Sequence, residues 1–153
     1  MKAVLQRVSK AQVVVEGQTV GSIGPGLMIL LGVEKGDEDR DSAFLAKKCV
    51  DMRIFTDDAG KMNLSIKDIG GSALIISQFT LPAEWKKGRR PSFIRAAEPS
   101  EGQRLYEHFM NEVRAQQIPV EKGIFGAHME VSLTNDGPVT IILDHQFASE
   151  SGG

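Results

Sequence analysis

The sequence predicts an α/β fold: a mixed, partly antiparallel sheet curled into a barrel-like body, with two main helices packed outside it. Three observations lead there. Short β-branched segments with period-two alternation open and close the chain. Two runs, residues 27–33 and 73–79, are apolar without alternation, as in strands buried on both faces. Two stretches place apolar residues at helical spacing. With 153 residues, no repeat and no linker, the chain fits one domain over residues 1–147. A small polar tail, 148–153, is read as disordered.

Taken in order, residues 4–8 and 12–16 read as two strands separated by a polar break at Ser9-Lys10. Residues 19–23 form a third, and Gly24-Pro25-Gly26 is a turn before the first apolar run. Asp37 or Asp39 can cap a helix reaching about Met52. Phe44, Leu45, Lys48, Cys49 and Met52 share its stripe, with the Lys48 stem lying along it. Residues 53–56 are a short strand, Asp57-Asp58-Ala59-Gly60 a turn, and 63–72 a polar loop. The second apolar run ends at Leu81-Pro82. Ser100 with Gln103 matches a capping box for a helix ending near Gln117, with Leu105, Phe109 and Val113 on one face. Residues 120–125, 128–134 and 139–143 complete eight or so strands, whose order the pattern does not reveal.

Composition narrows the class. A single cysteine, Cys49, rules out an intrachain disulfide, and three scattered histidines make no zinc pattern, so neither metal nor other cofactor is expected. No apolar run is long enough to cross a bilayer, and Met1-Lys2 leads straight into a strand pattern. Both point to a cytoplasmic protein with no signal peptide and no membrane partner. The net charge of -2 argues against bulk nucleic-acid binding, yet Lys86, Lys87, Arg89, Arg90 and Arg95 lie together without an acid among them. This is either a solvated loop or a phosphate-contacting surface. Trp85 and Phe93 beside it can stack on bases or anchor the loop to the core.

Two segments set polar or constrained residues against buried strands. Ser77-Gln78-Phe79-Thr80-Leu81 ends an apolar run, where hydroxyls, an amide and backbone N–H groups can reach a cleft. The same residues also suit a plain strand terminus. Asn135-Asp136-Gly137-Pro138-Val139-Thr140 reads locally as a hairpin turn, with a Gly-Pro bond open to the cis form. Taken together, the two motifs make the chain resemble the D-aminoacyl-tRNA deacylase family over nearly its whole length. Met1-Lys2-Ala3-Val4-Leu5-Gln6-Arg7-Val8 resembles that family's first strand, and Lys87-Gly88-Arg89-Arg90-Pro91-Ser92-Phe93 its basic loop.

The resemblance implies a homodimer with its active site at the subunit interface. In it, a cis Gly137-Pro138 of one protomer faces Ser77, Gln78, Phe79, Thr80 and Leu81 of its partner. Arg7 would hold the dipeptide, Phe125 and Met129 would line a pocket for the 3′-terminal adenosine, and Lys86, Lys87, Arg89 and Arg90 would meet the tRNA backbone. The implied activity is hydrolysis of D-aminoacyl-tRNA, with L substrates rejected at the α-carbon and achiral glycyl-tRNA admitted. Two chemical routes are open: attack by Thr80, which needs a base such as His128, or attack by water assisted by the tRNA 2′-OH. In the second, Phe79 and Thr80 N–H groups hold the oxyanion, and the resemblance favours it. Rival classes are a non-catalytic RNA-binding module and a small-molecule esterase, the latter weakened by the lack of a G-x-S-x-G elbow.

Overall fold

The opening β-branched segment does not break at Ser9-Lys10. Strand β1 runs unbroken over Lys2–Val15 in the computed structural model, which describes residues 1–148. Ser9 and Lys10 are exposed, and the register against β8 shifts by one residue between Val8 and Lys10, so the polar pair marks an irregularity that the strand passes through, with Lys10 opposite Thr134. The expected tail, apart from Ala148, lies outside the described residues. At Glu16 and Gly17 both φ angles are positive, 50° and 77°, the geometry of a tight two-residue hairpin. Strand β2 (Gln18–Ile23) returns along β1, and β3 (Gly26–Gly32) continues along the same edge. Gly24-Pro25-Gly26 is therefore a bend in one long arm, not a reversal. Gly26 is required there: a Cβ would lie 1.8 Å from the Ser72 carbonyl oxygen.

Helix α1 (Asp39–Asp51) follows, then the two-stranded β4 (Phe55–Thr56) and β5 (Met62–Leu64), then β6 (Ser72–Ser77), helix α2 (Pro99–Ala115), β7 (Val120–Lys122) and β8 (Glu130–Asp144). Strands β3, β6 and β7 are parallel neighbours, whereas β8 pairs antiparallel along the other edge of β1. The sheet curls until β2 approaches β7, where a Cβ on Gly21 would stand 2.6 Å from the Lys122 carbonyl oxygen. The result is a nearly closed barrel with both helices outside.

Several boundaries differ from expectation for identifiable reasons. Glu38, not Asp37 or Asp39, stands at the N-cap of α1, its N–H donating to Asp41 Oδ2 at 2.8 Å. Asp37 is already committed, accepting from the Met1 amino group at 2.8 Å and the Glu34 N–H at 2.7 Å. Helix α2 starts at Pro99, whose fixed φ suits a first turn, so Ser100 lies inside the helix and its box with Gln103 does not form. Phe44 leaves the buried stripe and stacks on His145 and Phe147. Part of the polar loop is strand β5, made regular only by its partner β4. The segments read as two final strands are one, β8.

The first apolar run is buried on both faces and the second only over residues 73–76, since Ser77 and Gln78 are half-buried and Phe79 is exposed; alternate residues serve different cores. Leu27, Ile29 and Ile75 meet Leu45, Cys49, Leu105 and Phe109 of the helices, while Met28, Leu74 and Ile76 fill the barrel with Val8 and Val13. Tyr106 pins α2 to the sheet, its hydroxyl donating to the Ile75 carbonyl at 2.6 Å. Burial pushes the Tyr106 phenol up from 10.0 to about 12. A buried phenol that resists ionisation holds its proton when the unfolded chain has lost it, so stability falls as pH rises from about 10 towards 12. Tyr106→Phe is expected to lower stability by about 1 kcal/mol at neutral pH and to flatten that alkaline fall. Urea melts at pH 8 and pH 11 measure both effects, and equal pH slopes for the two proteins would contradict them.

Candidate active site

The chain turns sharply where β6 ends. Gln78 N–H still donates to the Leu31 carbonyl at 2.8 Å, and Leu81 N–H then donates to the Gln78 carbonyl at 3.3 Å. Residues 78–81 thus form a β-turn, with Phe79 and Thr80 at its centre, the two positions whose N–H groups the turn itself does not use. Among the described residues, neither N–H is taken up by another hydrogen bond. Gly32 makes room for the turn, since a Cβ there would fall 2.9 Å from Leu81 Cβ and 3.1 Å from the Gln78 oxygen. Gln78 Nε2 donates to Thr80 Oγ1 at 2.6 Å. An amide N–H cannot accept a proton, so this neighbour fixes the hydroxyl without activating it.

The turn borders a cleft of about 720 Å³ lying between the barrel and α2. Ser77, Gln78 and Phe79 line one side, and Phe125 and Met129 are also in its wall. Five of the residues expected at the site therefore meet in one cavity, and Thr80 and Leu81 follow in the same turn. His128 lines the cleft too, although its ring makes no hydrogen bond to Thr80 among the described residues.

Further lining residues, among them Phe93, Ile94, Ala97, Pro99 and Gly102, went unassigned to the pocket from sequence. No local signal marked them: Gly102 stands inside α2, but a Cβ there would meet the Phe125 ring only at 3.6 Å, an ordinary contact that leaves room for a methyl group. Phe93 packs edge-on against Phe79, ring centres 5.2 Å apart, and so joins the turn to the basic segment.

Arg7, Gly137 and Pro138 are not in this cleft; they form a second cluster on β1 and β8. Gln6 pairs with Thr140 and Val8 with Asn135, so Asp136, Gly137, Pro138 and Val139 bulge out opposite Arg7. The local hairpin reading of this motif fails because both of its flanks stay on β1. Val139 is buried, Gly137 and Pro138 are exposed, and the peptide between them is cis. Arg7 Nε donates to the Asp136 carbonyl at 2.7 Å and Nη1 to the Ile54 carbonyl at 2.8 Å.

The basic segment is a small hairpin closed by paired Glu84 and Ser92 backbones. Trp85, at 72% exposure, does not anchor it to the core. Lys86, Lys87, Arg89 and Arg90 are exposed and make no ion pair among the described residues, whereas Arg95 is spent on Glu34 at 3.0 Å.

The family model described as D-Tyr-tRNA(Tyr) deacylase matches residues 4–144. A D-aminoacyl-tRNA deacylase of Geobacter sulfurreducens is 59% identical over 99% of this chain and 99% of its own. This chain belongs to the D-Tyr-tRNA(Tyr) deacylase family. A D-aminoacyl-tRNA deacylase from Pelobacter propionicus is 59% identical over 94% of this chain and 99% of its own length. Among solved structures, the c-Myc DNA Unwinding Element Binding Protein matches with a TM-score of 0.90 and 36% identity, covering 96% of this deacylase and 100% of that chain. A probable eukaryotic D-amino acid tRNA deacylase matches with a TM-score of 0.78 over 94% of this chain and 98% of its own; at 19% identity it speaks for the fold alone. The chain is thus an enzyme whose barrel and helices are those of its family.

Proposed function

We propose that this enzyme hydrolyses the ester of D-aminoacyl-tRNA, releasing the free D-amino acid and tRNA, and turns away L-aminoacyl-tRNA. The observation that carries this is the β-turn at Phe79 and Thr80: two unspent N–H groups at the rim of a cleft large enough for an aminoacyl-adenosine. Water attacks the ester carbonyl, and the two N–H groups hold the oxyanion that develops. Collapse of the tetrahedral species breaks the bond to the ribose 3′-oxygen, which leaves with a proton. The neighbouring 2′-OH of the tRNA assists, and Thr80, held by Gln78, orients the substrate. Phe125 and Met129 pack on the terminal adenosine. The enzyme works in the cytoplasm, where its substrate is made.

Selection of hand is assigned to Gly137-Pro138 of a second copy of the chain, entering the cleft beside Ser77, Gln78, Phe79, Thr80 and Leu81. Support comes from the exposure of the dipeptide at the crest of an anchored bulge. It comes also from Phe79 and Ile94, 62% and 66% exposed at the cleft, apolar surface that a partner would cover. Bare backbone set against the α-carbon leaves room for hydrogen but none for a side chain, whatever that side chain is. Glycyl-tRNA has no such side chain and is cleaved. Lys86, Lys87, Arg89 and Arg90 lie against tRNA phosphates.

The decisive experiment is turnover of matched D- and L-aminoacyl-tRNA with substrate in excess; protection of the ester, or equal cleavage of both hands, would sink the proposal. Thr80→Ala should slow D-aminoacyl-tRNA cleavage by less than about a thousandfold, because a larger loss is the mark of a nucleophile. Gly137 has φ +149° and an added Cβ would lie 2.8 Å from the Val139 nitrogen. Gly137→Ala must therefore displace the bulge, and a loss of about 100-fold or more in kcat/KM is expected; wild-type kinetics would remove the dipeptide from the site. For the hairpin, Lys86→Ala with Lys87→Ala should reduce the slope of log KM against log salt by about one for each phosphate no longer neutralised. An unchanged slope would return the hairpin to solvent.

A further inference from the structure

An excursion of four residues opposite one leaves backbone groups without ladder partners, and each costs free energy unless another hydrogen bond replaces the missing one. On the entry side of the bulge the replacement is Arg7, which holds the Asp136 carbonyl. On the exit side it is the carboxamide of Asn135. Its Oδ1 accepts from the Val139 N–H at 2.7 Å, and its Nδ2 donates to the Val139 carbonyl at 3.2 Å and to the Thr140 hydroxyl at 3.0 Å. One side chain thus occupies both backbone groups of the residue that follows Pro138.

We propose that Asn135 is a positioning residue for substrate selectivity, an inference that rests on the chiral reading of Gly137-Pro138 given above. Arg7 fixes where the chain leaves the strand, but it bonds neither backbone group of Val139. Asn135 bonds both. An amide suits the task because it offers donor and acceptor on one plane and so imitates the strand partner that the bulge lacks. Aspartate keeps the acceptor for the Val139 N–H but has no donor for the carbonyl, and alanine keeps neither. With the neck fixed at both ends, the crest has one direction in which to project. With one end loose, its carbonyl oxygens sample several positions and exclude an L side chain less well.

The test compares wild type, Asn135→Ala and Asn135→Asp, reading kcat/KM on matched D- and L-aminoacyl-tRNA together with Tm. Asn135→Ala is expected to cut the D-over-L ratio by about tenfold or more, the scale of one or two positioning hydrogen bonds, with Asn135→Asp between it and wild type. Loss of folded enzyme would lower both substrates in equal proportion and leave the ratio unchanged, and that result overturns the assignment. If Asn135→Ala does not fold, Asn135→Asp decides: a lowered ratio supports the clamp, and a wild-type ratio overturns it. A wild type that cleaves neither hand sinks the deacylase proposal itself, whereas a selective wild type with an equally selective Asn135→Ala sinks only the clamp.

Discussion

Strand β1 uses both of its edges over nearly its whole length. On one edge lie β2 and β3, the two halves of a bent arm; on the other lies β8. Every other part of the sheet is reached through these pairings, since β6 joins β3 and β7 joins β6. A strand paired on both sides has no freedom to slip, because a shift of one residue would turn its buried side chains to the opposite face. The register of β1 therefore sets the place of the turn at residues 78–81 on one side and of the Asp136–Val139 bulge on the other.

The two sites answer this common frame in opposite ways. At the turn, regular pairing stops and backbone donors are left unspent beside a cavity, an arrangement that usually costs stability unless a ligand or solvent meets them. At the bulge, pairing continues above and below while Arg7 and Asn135 take over the interrupted bonds. The first arrangement makes a surface ready to hold developing charge. The second makes a rigid projection with almost no side chain. On the proposed function they are halves of one site divided between two copies of the chain, which accounts for their separation within one.

Much of the cleft was legible because its chemistry is local. Ser77, Gln78 and Phe79 stand at the end of an apolar strand, and the turn that leaves the Phe79 and Thr80 N–H groups free spans four consecutive residues. Phe125 and Met129 came from the family resemblance, and the cavity includes both. The wall formed by residues 93–102 was missed, since nothing in that stretch shows which way α2 will face. That orientation is set by Tyr106 on the Ile75 carbonyl and by Phe109 in the core. The hairpin reading of Asn135 to Thr140 failed for a related reason: local turn chemistry is the same whether the chain reverses or bulges, and only the β1 partners on either side tell the two apart.

By itself the sequence determined the α/β class, the two doubly buried strands, the amphipathic helices and the family, because hydrophobic period and short motifs are properties of neighbouring residues. Tertiary structure decided what depends on distant partners. Ser9-Lys10 stays in the strand because β8 pairs across it, Gly24-Pro25-Gly26 bends instead of reversing because β1 continues on the same edge, and Asp37 is withdrawn from helix capping by the buried Met1 amino group. In each case several long-range pairings, each worth about 1 kcal/mol, together outweigh one local preference of similar size.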